Sequence, residues 1–343
     1  PVWNKVNGSY YYGIFWSGMP DLNYDNPDVR REAKNIAAFW LDKGVDGFRL
    51  DAVPHVFDTT EVRPGENGLE KTKAWWKEFT GYCHEKKPGC LIVGEVLDDS
   101  VSIRASYLSS LDSTFHIGLG TRITKAGSSK NNYLSTFIAN NYAKYAEANP
   151  GYIDAPMLSN HDQNRVIGLV RGKKELMKAA AGIYLTLEGI PFIYYGEEIG
   201  MFGSKPDEDI RLPYLWGNED PCQTSWRQSK YKNVLPVSEQ ENDPDSLLTY
   251  YKRLIRIRNE NEALYAGKFK PMAPGNDSIV AYSMASESQT AIVLHNLGDT
   301  KQSISVDTEG YTLKFCQTKE GFTQKAGEVV MPPLSTVIFI KNR

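Results

Sequence analysis

Cysteine is scarce in this chain, with four in 343 residues, and their spacing fits no tetrahedral metal site. Cys83 and Cys90 flank the turn-like stretch HEKKPG. A local disulfide and two unlinked thiols both fit there, which leaves the redox compartment open. No apolar run approaches the ~20 residues of a membrane span. Neither sign of charge dominates: Lys+Arg 39 against Asp+Glu 42 gives a net charge of −3. There is thus no basic stripe for nucleic acid and no acidic solvating tail. Initiator methionine, signal-like segment, internal repeat and low-complexity linker are all missing, and the sequence from Pro1 onward reads as a piece of something longer. The hydrophobic share of 41% and charged share of 24% are those of an ordinary globular protein. The length predicts two domains, one of them large.

Aromatic residues are plentiful, with Trp 7, Tyr 20 and Phe 13. Most are expected in the core, with a minority on loops as platforms for a flat, hydroxylated ligand. Up to about residue 265, helical and strand-like patterns alternate. Asn26-Pro27 supplies a helix cap and a first-turn proline, after which Val29, Ala33, Ile36, Ala37, Trp40 and Leu41 recur on one face until Gly44. Further helices are predicted over 70–83 and roughly 246–259. Between helices lie short apolar runs: GVDGFRL, CLIVGE, STFHIGL, APMLSN and PFIYYG. Such runs suit strands buried on both faces, as in a parallel sheet covered by helices. After Gly267 the runs DSIVAYSM, TAIVLHNL, KQSISVD, YTLKFCQ and STVIFIKN follow one another across short polar turns. They predict an antiparallel β domain, with the boundary at Ala266–Gly267.

The chemistry sits where strands end. The first run ends in Arg49 and Asp51, two residues apart and therefore on one side of a strand. LIVGEV ends in Glu95, and MLSNHDQNR in His161 and Asp162. An aspartate after a strand is most often a cap or turn former. Three carboxylates at equivalent positions, with an arginine and a histidine beside them, instead match a parallel barrel, whose catalytic groups gather at the C-terminal ends of strands. Burying several anions together is costly without a cation, a role Arg49 can fill for Asp51. Glycoside hydrolysis suits such a set: one carboxylate stays charged and attacks, while an acid about 5 Å away protonates the leaving oxygen. Asp51 beside Arg49 fits the first role. Glu95, emerging from CLIVG, has apolar neighbours that fit it for the second.

Taken together, MPDLN, GFRLDAVPH, GEV, LSNHDQ and GIPFIYYGEEIGM resemble, in order, the conserved segments of the α-amylase family, glycoside hydrolase family 13. The resemblance covers nearly the whole chain. It implies that residues 1–266 are the fourth to eighth βα units of a (β/α)8 barrel, with 1–18 as the tail of an inserted domain. Residues 267–343 would be the C-terminal β-sandwich. It implies Asp51 as nucleophile, Glu95 as acid/base, and Asp162 as the third carboxylate, which binds sugar hydroxyls. His161 would contact the same sugar, Arg49 would charge and orient Asp51, and His55 would touch the leaving side or offer its carbonyl to calcium. Pro54 replaces a lysine common in relatives. MPDLN resembles a group between oligo-1,6-glucosidases and neopullulanases, hence α-1,4-glucan hydrolysis with α-1,6 side activity. Phe202 and Trp216 are candidates for stacking on sugar or for packing.

The family's first conserved segment, with its aspartate, asparagine and histidine, has no counterpart here, and calcium ligands are expected with it. A five-stranded piece of a barrel would expose two edges. The expected partner is therefore an upstream segment of the same enzyme, carried as a second chain after nicking. Without it, residues 1–343 are expected neither to fold stably nor to hydrolyse starch. A polymeric glucan substrate implies an extracellular or cell-surface location. Two rivals remain: a transglycosylase or phosphorylase on the same scaffold, and a non-catalytic glucan-binding relative.

Overall fold

The computed structural model describes residues 2–57, 65–129, 133–231 and 233–343. They form two compact units, Pro1–Phe115 with Tyr145–Tyr152, and His116–Lys144 with Ile153–Arg343.

The first unit opens with an antiparallel hairpin, β1 (Trp3–Val6) and β2 (Ser9–Tyr12), turned at Asn7-Gly8. Helix α1 (Pro27–Asp42) starts where the sequence predicts: the Asn26 side chain caps the Asp28 N–H and Pro27 occupies the first position. Then come β3 (Gly47–Leu50), α2 (Gly68–Lys86), β4 (Leu91–Gly94), α3 (Val101–Tyr107) and β5 (Ser113–Phe115). Strands β3, β4 and β5 pair in parallel in that order. Their register depends on Gly47, because a Cβ there would fall 2.0 Å from the Leu91 carbonyl oxygen. The core beneath them gathers Leu41, Val53, Trp75, Trp76, Phe79, Ile92 and Val96. Cys83 and Cys90 are buried thiols, not a disulfide. Helix α1 departs from expectation on its predicted inner face: Ala37 and Leu41 are buried, whereas Ile36 and Trp40 are exposed, as is the neighbouring Phe39. Its apolar stripe is wider than the surface that the described residues provide.

In the second unit, α4 (Leu119–Ser129) and α5 (Tyr133–Ala148, whose last residues belong to the first unit) precede β6 (Ile153–Ala155). Helices α6 (Val166–Leu169), α7 (Lys174–Tyr184), α8 (Asp207–Ile210), α9 (Val237–Gln240), α10 (Leu247–Glu260) and α11 (Glu262–Tyr265) follow. The strands expected in APMLSN and PFIYYG shrink to one parallel bridge, Met157 to Phe192. Pro156 and Pro191 directly precede those residues, and a proline has no N–H to give a ladder.

The C-terminal part is antiparallel, as expected. One sheet runs β11 (Thr312–Cys316), β14 (Ser335–Asn342), β9 (Gln289–Asn296), β8 (Ile279–Ala285), β7 (Lys268–Pro271). The other runs β10 (Gln302–Ser305), β13 (Glu328–Met331), β12 (Thr323–Lys325). Between them pack Ile279, Leu294, Ile304, Val329 and Phe339. Helix α7 presses against this domain, since a Cβ on Gly182 would lie 2.5 Å from the Thr336 hydroxyl.

Candidate active site

Strand β3 delivers Arg49 from inside the ladder and Asp51 just past its end. The next residue, Ala52, takes the left-handed conformation at φ 45, unusual for a residue with a side chain. That turn aims backbone at the neighbouring strand's end. The Val53 N–H donates to the Glu95 carbonyl at 3.0 Å, and the Glu95 N–H donates to the Leu50 carbonyl at 2.9 Å. The Ala52 N–H also donates to the Glu95 carboxylate. Glu95 is thereby fastened to the 50–53 turn through main chain and side chain alike.

Arg49 lies between the two acids. Its Nη1 donates to Asp51 Oδ1 at 2.6 Å, and its Nη2 donates to Glu95 Oε2 at 2.6 Å. The environments of the two carboxyls differ sharply: the Asp51 side chain is 74% exposed and that of Glu95 only 9%. Burial pushes the Glu95 carboxyl above its ordinary range, and a hydrogen bond with Asp51 adds to the rise, while the Arg49 charge and the Ala52 N–H oppose it. Burial prevails, as the apolar run before Glu95 suggests. The sequence paired Arg49 with Asp51 alone; its second partner, Glu95, was not foreseen. His55 closes this side with its ring edge-on to Phe15, centroids 5.4 Å apart.

The second unit builds a comparable arrangement around His161 and Asp162. The Asn160 side chain accepts from the Asp162 N–H at 2.9 Å, fixing the loop after the Met157 bridge. His161 Nε2 lies 3.3 Å from Asp162 Oδ2. Arg211, which the sequence reading missed, donates from Nε to the His161 carbonyl at 2.9 Å and from Nη2 to Asp162 Oδ1 at 2.7 Å. Arg165, the last residue of LSNHDQNR, is buried and donates to the carbonyls of Tyr195 and Ile210 at 2.7 and 3.0 Å. It holds the Asp162 loop to the 194–211 segment. Phe202 stacks on Tyr231 at 4.7 Å, and Trp216 sits edge-on to Tyr214 at 4.6 Å. No group of three or more His, Cys, Asp or Glu side chains is gathered as a metal ion would require among the described residues.

Residues 2–267 match the family described as "Alpha amylase, catalytic domain", and residues 279–338 match "Alpha-amylase SusG C-terminal domain". The chain is 40% identical to Alpha-amylase 3 of Dictyoglomus thermophilum over 98% of its own length and 66% of that protein. It is 31% identical to Alpha-amylase SusG of Bacteroides thetaiotaomicron, over 89% of this chain and 49% of that protein. With a 4-alpha-glucanotransferase of Thermotoga maritima the identity is 30%, over 86% and 65% respectively. Among solved structures, an α-amylase from H.orenii superposes with a TM-score of 0.89 at 36% identity, covering 99% of this chain and 70% of that one. The chain thus spans two thirds or less of the length of these three curated relatives. By the catalytic-domain match over most of its length and by these relatives, it belongs to the α-amylase family.

Proposed function

We propose that this chain is the catalytic part of a retaining α-glucan hydrolase of α-amylase type. Its substrates are the α-1,4-glucosidic bonds of starch and maltooligosaccharides, with α-1,6 bonds as a side activity. One observation carries the reading: a single guanidinium holds, at 2.6 Å each, one exposed carboxylate and one buried carboxyl. An exposed carboxylate beside a buried carboxyl that burial pushes toward its protonated form is what a retaining glycosidase requires. Asp51 attacks the anomeric carbon as Glu95 gives its proton to the glycosidic oxygen. A β-glycosyl-enzyme forms, and Glu95, now a base, draws a proton from the water that opens it. Arg49 offsets the charge on Asp51 before attack. Asp162, kept in place by Arg211, takes sugar hydroxyls and steadies the oxocarbenium-like transition state. His161 contacts the same sugar, and His55 the leaving side.

In the assembled enzyme, Asp51→Asn is expected to lower kcat by ~1000-fold or more while maltoheptaose still binds. Turnover that survives this change, or products released with inverted anomeric configuration, would sink the reading. A 4-alpha-glucanotransferase among the relatives favours one second reading, transfer to a sugar acceptor. Counting new reducing ends against lengthened products from maltooligosaccharides separates the two.

The partner we propose is an upstream segment of the same enzyme. Its support is the exposed face of α1, where Ile36, Phe39 and Trp40 are 54, 54 and 49% accessible, and strand β3, which pairs only with β4 among the described residues. Calcium, where bound, would draw its ligands from that segment, and a polymeric substrate places the enzyme outside the cell or at its surface. The division between catalytic and C-terminal parts is put at Ala266–Gly267.

A further inference from the structure

A cavity of about 1000 Å³ lies wholly within the second unit, lined by residues of 201–202, 212–217, 218–231 and 234–239. It lies at the upper end of the range typical of ligand sites, larger than a monosaccharide needs. Its walls are fastened in advance. The Gln223 side chain accepts from the Trp216 and Gly217 N–H groups at 2.9 and 3.3 Å, and donates to the Tyr214 and Thr224 carbonyls at 3.1 and 2.8 Å. Asp209 anchors the same loop through Arg227 and Lys230, at 2.6 and 2.7 Å. A site held in shape before its ligand arrives loses less ordering entropy on binding.

The lining identifies the ligand's chemistry. Tyr231 is stacked on Phe202 with 24° between the rings, yet remains 45% exposed. One ring braces the other and leaves a rigid, amphipathic platform suited to the apolar face of a pyranose. Around it stand groups able to bond hydroxyls, among them Gln228, Asn218 and Ser238. The lining carries three acidic residues (Glu219, Asp220, Glu239) and one arginine, Arg227, which is already paired with Asp209. An anionic ligand is disfavoured; a neutral, polyhydroxylated chain fits.

We propose that this cavity is a second carbohydrate site that holds several residues of a neutral α-glucan chain, with Tyr231 as its platform. The identity of the sugar rests on the α-glucan reading above; the shape and charge of the site do not. The test is hydrogen–deuterium exchange of segment 217–231 in the enzyme assembled with its upstream segment, with and without millimolar maltoheptaose, alongside an assay for hydrolysis. Slower exchange is expected with maltoheptaose. In Tyr231→Ala the affinity read from that protection should fall about five- to tenfold. Gln228→Ala, an exposed and therefore structurally mild change, should weaken it in the same direction. Protection without hydrolysis upholds the site and counts against the hydrolase. Hydrolysis without protection, or protection that neither variant weakens, overturns the site and leaves the hydrolase standing. Absence of both overturns both.

Discussion

Arg49 is the residue on which the proposed chemistry turns, and its two contacts act in different senses. It supports the charge of Asp51, and it draws the Glu95 pKa down against the larger upward push of burial. Arg49→Leu should therefore lower kcat/KM on the order of a hundredfold. It should also raise the alkaline limb of the pH profile, because Glu95 without its cation keeps its proton to higher pH. A limb that moves down would mean that Glu95 is not the acid. The pair Arg49–Asp51 was legible in the sequence because the partners lie two apart on one strand. Arg211 and Asp162 were not, being 49 positions apart and brought together only by the fold. Glu197 offers a second test at this scale. It is buried, accepts from Tyr184 and Tyr251 at 2.8 and 2.7 Å, and burial raises its pKa from 4.5 to about 7. The folded state holds this proton more tightly than the unfolded one, so stability is greatest below 4.5 and is lost as pH climbs through about 7. The loss is on the order of 3 kcal/mol, from the size of the shift at about 1.4 kcal/mol per unit. Glu197→Gln should abolish that slope, as read from denaturant midpoints at several pH values across this window.

Among the elements, the strand-to-turn joint after β3 does most to assemble the site. Ala52 sits at φ 45, ψ 43 so that the N–H groups of Ala52 and Val53 can reach Glu95. Held in that conformation, a β-branched side chain is more strained than alanine, and Ala52→Val should cost about 1–2 kcal/mol. Activity should fall further than stability, because the turn also sets where Asp51 and Glu95 point. Thermal denaturation and kcat measured together check this, and a variant with wild-type kcat would contradict it. Elements with a clear apolar period were legible: α1, α2, α10, β3, β4 and the longer C-terminal strands. Those missed have a physical excuse. Strand β7, KFKP, is half lysine and ends in proline, and β12, TQK, has no alternation, so their pairing is decided by neighbours and not by their own pattern. Helix α1 misled in the opposite way: its period was right, but Ile36 and Trp40 on its apolar face stay uncovered among the described residues.

That uncovered face bears on the whole molecule. Exposing Ile36, Phe39 and Trp40 on one helix is unusual where burial of each such side chain stabilises by roughly 1.5–3 kcal/mol. Strand β3 adds an edge that pairs, among the described residues, with β4 alone. If the proposed upstream segment covers both, a charge placed on the face should act only in the assembled enzyme. In the isolated chain, Phe39→Glu replaces one solvated side chain by another and should shift stability by less than about 0.5 kcal/mol. After the upstream segment is added in trans, the same change should lower the melting temperature of the complex and the activity it regains on starch. Equal effects in the two settings would mean that the segment docks elsewhere, and full activity from the wild-type chain alone would mean that it is not needed. Burial of the three side chains is worth several kcal/mol, so the gap between the two settings should be wide enough to read from paired melting curves.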